Sequence, residues 1–140
     1  MKYTTIVIDD VPTSMIKKKI VMICDDDPDL RQLFSQALKS RYDIILVGSG
    51  EDCIDRFIQE KYRGNRIHLL LLDYKLGDMR GDLVARKIKE LNGTKIILIS
   101  AYDLDGELVQ ELEENNYIAK YIEKPIHLTN LIETVIRTVS

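Results

Sequence analysis

The chain has 140 residues, 45% of them apolar and 31% charged, with 7 Gly and 3 Pro, which fits one globular domain and excludes a disordered, collagen-like or coiled-coil chain. A formal net charge of −3 leaves no basic field for the phosphates of a duplex, so direct nucleic-acid binding is not expected. Apolar runs such as residues 69–72 are strand-length, far below the ~18 residues of a membrane span. Cys24 and Cys53 show neither CxxC nor Cys/His ligand spacing, and the lysines before residue 20 are not followed by a signal peptide's long apolar core. A reducing, cytoplasmic location is expected.

Short apolar runs alternate with helical stripes along the chain, the pattern of a parallel sheet wrapped by helices. Ile20–Cys24 reads as a first strand. Asp27 as N-cap and Pro28 at the first helical position open a helix whose apolar stripe is Leu30, Leu33, Phe34, Ala37 and Leu38. Asp43–Val47 is a second strand, ending in Gly48; Ser49 with Asp52 then resembles a capping box before Cys53, Ile54, Phe57 and Ile58. A third strand covers residues 67–72, apolar except His68, as suits a strand covered on both faces. Leu83, Val84, Ile88 and Leu91 form the next helix, stopped by Asn92 and Gly93, and residues 95–99 a fourth strand. Gly106–Glu114 is an acidic, weaker helix, Lys120–Glu123 a fifth strand, and Leu128, Leu131, Ile132, Val135, Ile136 and Val139 stripe the last helix.

Five βα units predict a doubly wound α/β fold: a five-stranded parallel sheet in the flavodoxin-like order 2-1-3-4-5, with helices on both faces and a ligand crevice at the carboxyl ends of the strands. Those ends carry Asp25, Asp26 and Asp27 after the first strand, Asp73 after the third, Ser100 after the fourth and Lys124 after the fifth. Gathered carboxylates repel each other by roughly 4 kcal/mol per pair at ~4 Å and an effective dielectric of ~20. A hard divalent cation such as Mg²⁺ offsets that charge and leaves room for a phosphoryl group. A carboxylate then serves as the nucleophile toward phosphorus, with Lys124 as a fixed positive charge and Ser100 as a hydrogen-bond donor. Taken singly, an aspartate after a strand is a cap or turn former, Ser100 a turn residue and Lys124 a solvated loop residue; Asp27 keeps that ordinary role. Their joint placement at the ends of different strands is what points to chemistry.

The stretch 18–140 resembles a response-regulator receiver domain of two-component signalling. The resemblance lies in Cys24-Asp25-Asp26-Asp27-Pro28, in Leu71-Leu72-Asp73 followed by Gly81, in Ile99-Ser100-Ala101 and in Tyr121-Ile122-Glu123-Lys124-Pro125. It implies that Asp73 is the phosphoacceptor and that Asp25, Asp26, Asp73 and the backbone carbonyl of Lys75 hold Mg²⁺. It further implies that Lys124 contacts the phosphoryl group, that Ser100 and Tyr121 form a switch pair and that the peptide before Pro125 is cis. A histidine kinase or phosphotransfer protein is the implied donor. The implied output is a downstream protein engaged through the face of the fourth helix, fifth strand and fifth helix; with no output domain in the sequence, a stand-alone receiver is expected, one that catalyses only its own phosphorylation and dephosphorylation.

Some positions depart from the family pattern. Gly77 stands where a proline is common, which is expected to loosen its loop. Lys75 and Tyr102 are bulky two residues beyond Asp73 and Ser100, an arrangement expected to screen an acyl phosphate from water and lengthen its life. Residues 1–17 lie outside the match as an N-terminal extension, in which Asp9-Asp10-Val11-Pro12 echoes Asp25-Asp26-Asp27-Pro28. Only the later pair is followed by a full helix and then a strand, so Asp9 and Asp10 are read as decoys. The extension is either a frayed or over-long start or a strand at residues 4–8 that adds to a sheet edge, its own or a neighbour's, or swaps with the first strand, which allows a homodimer. Other readings are an unphosphorylated interaction module or a dehalogenase-like phosphatase, although the latter needs an aspartate where Lys75 stands. A dinucleotide site fails because Gly48-Ser49-Gly50 lacks a third glycine.

Overall fold

A computed structural model of the chain describes residues 17–91, 93–101 and 104–140. The strand expected at residues 4–8, the acidic pair Asp9 and Asp10, and Tyr102 lie outside the described residues. The elements alternate as β1 Ile20–Cys24, α1 Pro28–Leu38, β2 Asp43–Val47, α2 Gly50–Tyr62, β3 Ile67–Asp73, α3 Gly81–Glu90, β4 Lys95–Ser100, α4 Gly106–Glu114, β5 Lys120–Glu123 and α5 Leu128–Val139. All strand pairs are parallel, in the order β2-β1-β3-β4-β5, the order expected.

The period of two along the central strands divides their side chains between two cores. Val21, Ile23, Leu69, Leu71, Ile97 and Ile99 pack toward Phe34 and Leu38 of α1 and Leu131 and Val135 of α5. Met22, Cys24, Leu70, Leu72, Ile96 and Leu98 face Cys53 and Phe57 of α2, Val84 and Ile88 of α3 and Leu112 of α4. Each fully buried Leu or Ile contributes about 1.5–3 kcal/mol relative to exposure, so the strands are apolar because both faces of the sheet are covered.

Helix starts follow the sequence signals. The Asp27 carboxylate accepts the Asp29 N–H at 2.9 Å with Pro28 behind it, and Ser49 Oγ accepts the Asp52 N–H at 3.0 Å. At the other end of the sheet β1 and β3 shift register between Ile20 and Val21, and the freed Ile20 N–H donates to His68 Nδ1 at 3.1 Å. Burial and the nearby Arg66, Lys19 and Lys17 hold the His68 pKa below its ordinary value. α4 is anchored differently: its one buried residue is Leu112, while Arg86 of α3 makes an ion pair with Glu111 and Lys89 bonds the Asn115 carbonyl. Both cations lie 4.8 Å from the centre of the Tyr117 ring.

β3 and β4 each run one residue past their apolar stretches, because the parallel ladder continues through Asp73 opposite Ile99 and Ser100 opposite Glu123. This places Asp73 and Ser100 inside strand ends, where both are buried.

Candidate functional site

Strand order brings the polar ends together: β1 and β3 are neighbours, so Asp25 and Asp26, just beyond β1, face Asp73 at the end of β3. One carboxylate oxygen from each of these three aspartates lies within 4.8 Å of the others. Asp25 and Asp73 are buried and Asp26 is exposed, a split the sequence did not reveal.

β5 lies two strands from β3, and the long side chain of Lys124 crosses over the end of β4. Its Nζ is 2.9 Å from Asp73 Oδ1 and 3.7 Å from Asp25 Oδ2. The Lys124 backbone N–H donates to the Ser100 carbonyl at 2.7 Å, and the following peptide, to Pro125, is cis. Ser100 is 1% exposed at the end of β4, next to the residue that pairs with Asp73. Tyr121 sits one strand further out, opposite Leu98, half-buried against the α2–α3–α4 core.

Burial and the crowding of carboxylates set the electrostatics here. Burial pushes the Asp73 carboxyl above its ordinary range; the hydrogen bond from Lys124 opposes this and the neighbouring Asp25 adds to it. Burial also raises Asp25, against the Asp27 N–H that donates to its Oδ1 at 2.9 Å and against Lys124. Burial disfavours the Lys124 charge, yet the hydrogen bond to Asp73 and the surrounding carboxylates hold its pKa above the usual value. The three carboxylates gather beside the Lys124 ammonium, which lies within 3.7 Å of two of them. Oxygen donors in this number and spacing suit a hard divalent ion, and Mg²⁺ fits them while keeping places for water and phosphate oxygens.

The loop after β3 completes the site. The Tyr74 N–H donates to the Ile99 carbonyl at 2.8 Å and the Gly81 N–H to the Tyr74 carbonyl at 2.6 Å, while Lys75, exposed, bridges Arg80 in antiparallel fashion. Gly77 has φ +78, with Asp26 Oδ2 3.7 Å from where a Cβ would stand. Two residues escaped the sequence reading. Arg31 donates from Nη1 to the Asp25 carbonyl at 2.7 Å, fixing the turn after β1; nothing in its helical position signals this. Asp78 accepts the N–H groups of Gly50 and Glu51 at 2.9 Å each, a role hidden because Ser49 already accounts for the start of α2.

Known proteins resemble this chain in sequence and fold. The family model for the response regulator receiver domain matches residues 21–136. The transcriptional regulatory protein AruR of Pseudomonas aeruginosa is 27% identical over 122 residues, covering 85% of this chain and 50% of that protein. The DNA-binding response regulator MtrA of Mycolicibacterium smegmatis is 27% identical over 116 residues, covering 82% of this chain and 48% of that protein. The chain thus spans about half the length of the curated relatives it matches. The signal receiver domain of a putative Luxo repressor protein from Vibrio parahaemolyticus superposes with a TM-score of 0.76 at 29% identity, covering 87% of this chain and 90% of that one.

Proposed function

The chain belongs to the response regulator receiver family of two-component signalling, and from that membership we propose that it takes a phosphoryl group onto Asp73 from a histidine kinase or phosphotransfer protein. The observation that carries this reading is the Lys124–Asp73 contact of 2.9 Å inside a cluster with Asp25 and Asp26. In the transfer, a carboxylate oxygen of Asp73 attacks phosphorus: the O–P bond forms, the P–N bond to the donor imidazole breaks, and the imidazole departs and takes up a proton. Lys124 follows the negative charge from the carboxylate to the phosphoryl oxygens, and Ser100 supplies a hydrogen bond to one of them. Asp25, Asp26, Asp73 and the Lys75 carbonyl would hold Mg²⁺, which when bound would offset the charge on the phosphoryl oxygens. The burial of Asp73 keeps the nucleophile in place and limits water.

The chain's own catalysis is confined to gaining and losing this group. Ser100 and Tyr121 relay the change to the face formed by α4, β5 and α5, which engages a downstream protein in the cytoplasm. Among the described residues no helix is long and apolar enough to cross a membrane. Incubation with Mg²⁺ and a small acyl phosphate tests the reading by mass: one phosphoryl group added to the wild type and none to Asp73→Asn. An unmodified wild type, or equal modification of Asp73→Asn, rejects it.

A further inference from the structure

The loop from Asp73 to Gly81 carries Lys75 two residues past the phosphoacceptor, so whatever fixes this loop fixes that carbonyl. Its ends are tied by the Tyr74 and Gly81 backbone bonds and the Lys75–Arg80 bridge. Its middle holds a residue that only glycine adopts easily, Gly77 at φ +78. A proline, locked near −65°, does not fit this path, so the loop needs a different restraint.

Asp78 supplies one. Its two carboxylate oxygens each accept one of the first two N–H groups of α2, those of Gly50 and Glu51, both at 2.9 Å. Helix-start donors lack intrahelical partners and carry the positive end of the dipole, so an ionised carboxylate is held firmly there. The Asp78 pKa lies below its ordinary value, chiefly through the Gly50 N–H. The next residue reinforces the contact: a Cβ on Gly50 would stand 2.4 Å from Met79 Cγ, so the helix start and the loop lie flush.

We infer that Asp78 is a positioning residue for the metal site: by clasping the first amides of α2, it sets the loop that presents the Lys75 carbonyl. This rests on the proposed role of that carbonyl in holding Mg²⁺.

The test compares Mg²⁺ dissociation constants, from titrations followed by amide chemical shifts, with unfolding in urea. The variants are Asp78→Ala, Asp78→Asn and Ser49→Ala. Ser49→Ala removes the other side-chain cap of α2, at the Asp52 N–H, without touching the loop. Asp78→Ala is expected to weaken Mg²⁺ binding about tenfold, as residues supporting a metal's ligands typically do. Asp78→Asn, which keeps one acceptor oxygen and serves if the alanine variant does not fold, should fall between it and the wild type. Ser49→Ala should lower stability and leave Mg²⁺ affinity at the wild-type value. Unchanged affinity in both Asp78 variants overturns the inference, as does equal weakening by Ser49→Ala, which would reduce Asp78 to a helix cap. A wild type that binds no Mg²⁺ rejects the proposed site itself, and the clasp's role with it.

Discussion

Glu60 and Asp73 are both buried carboxylates, at opposite ends of the sheet, and their surroundings move their protons in opposite directions. Glu60, near the end of α2, is bonded by Arg56 at 2.8 Å, Arg63 at 2.9 Å and Asn65 at 2.9 Å. These partners, led by Arg56, pull its pKa below the ordinary glutamate range. Asp73 shares the single ammonium of Lys124 with Asp25, and burial raises its pKa. The carboxylate with three donors is a structural tie; the buried one beside a second carboxylate is the one the proposed function uses. Stability and function thus use the same chemical group with different partners.

The largest test of this contrast removes the cation from the functional end. Lys124→Ala should slow phosphoryl uptake by about 10²- to 10³-fold, measured as the rate of mass gain from an acyl phosphate. Next, Mg²⁺ at a hundred times its dissociation constant should stabilise the wild type by about 2.7 kcal/mol in urea unfolding; a chelator should reverse this, and Asp73→Asn should show far less. Glu60→Ala should cost about 1–2 kcal/mol by removing an acceptor of three hydrogen bonds, a cost moderated because water reaches Arg56 and Arg63. Because the folded pKa of Glu60 is lowered, its contribution is present above the ordinary glutamate pKa and is lost as pH falls through the folded value. The wild type's advantage over Glu60→Gln should therefore fade in acid, which unfolding curves at a series of pH values would show. The smallest effect has the opposite sign: in the absence of Mg²⁺, Asp73→Asn should stabilise the fold by about 1 kcal/mol, since the desolvation of the buried carboxylate and then its repulsion from Asp25 outweigh its bond to Lys124.

The fold was legible because burial on both faces writes itself as apolar runs, and because Asp27, Ser49 and Pro28 are local signals that need no tertiary knowledge. The apolar runs stopped one residue short at Asp73 and Ser100, where backbone pairing carries a polar side chain into a buried strand end. In the site, order along the chain predicted which residues meet, because the topology places strand ends side by side. It did not predict how each is held. Arg31 reaches back to a carbonyl, and Asp78 caps a helix that begins 28 residues before it in the chain. Such contacts depend on loop paths. Gly77 illustrates this: its φ of +78 suits the path taken, and Asp78, one residue further on, accepts the first two N–H groups of α2.

α4 buries only Leu112, with Leu108 packed partly against the same core, and is further fastened by Arg86 to Glu111, Lys89 to the Asn115 carbonyl, and both cations around Tyr117. Dissolved ions screen such fastenings within a Debye length of about 8 Å at physiological strength, whereas they scarcely touch oil-like packing. The seating of this helix should therefore respond to the saltiness of its surroundings more than that of α1 or α5, each of which buries two apolar side chains.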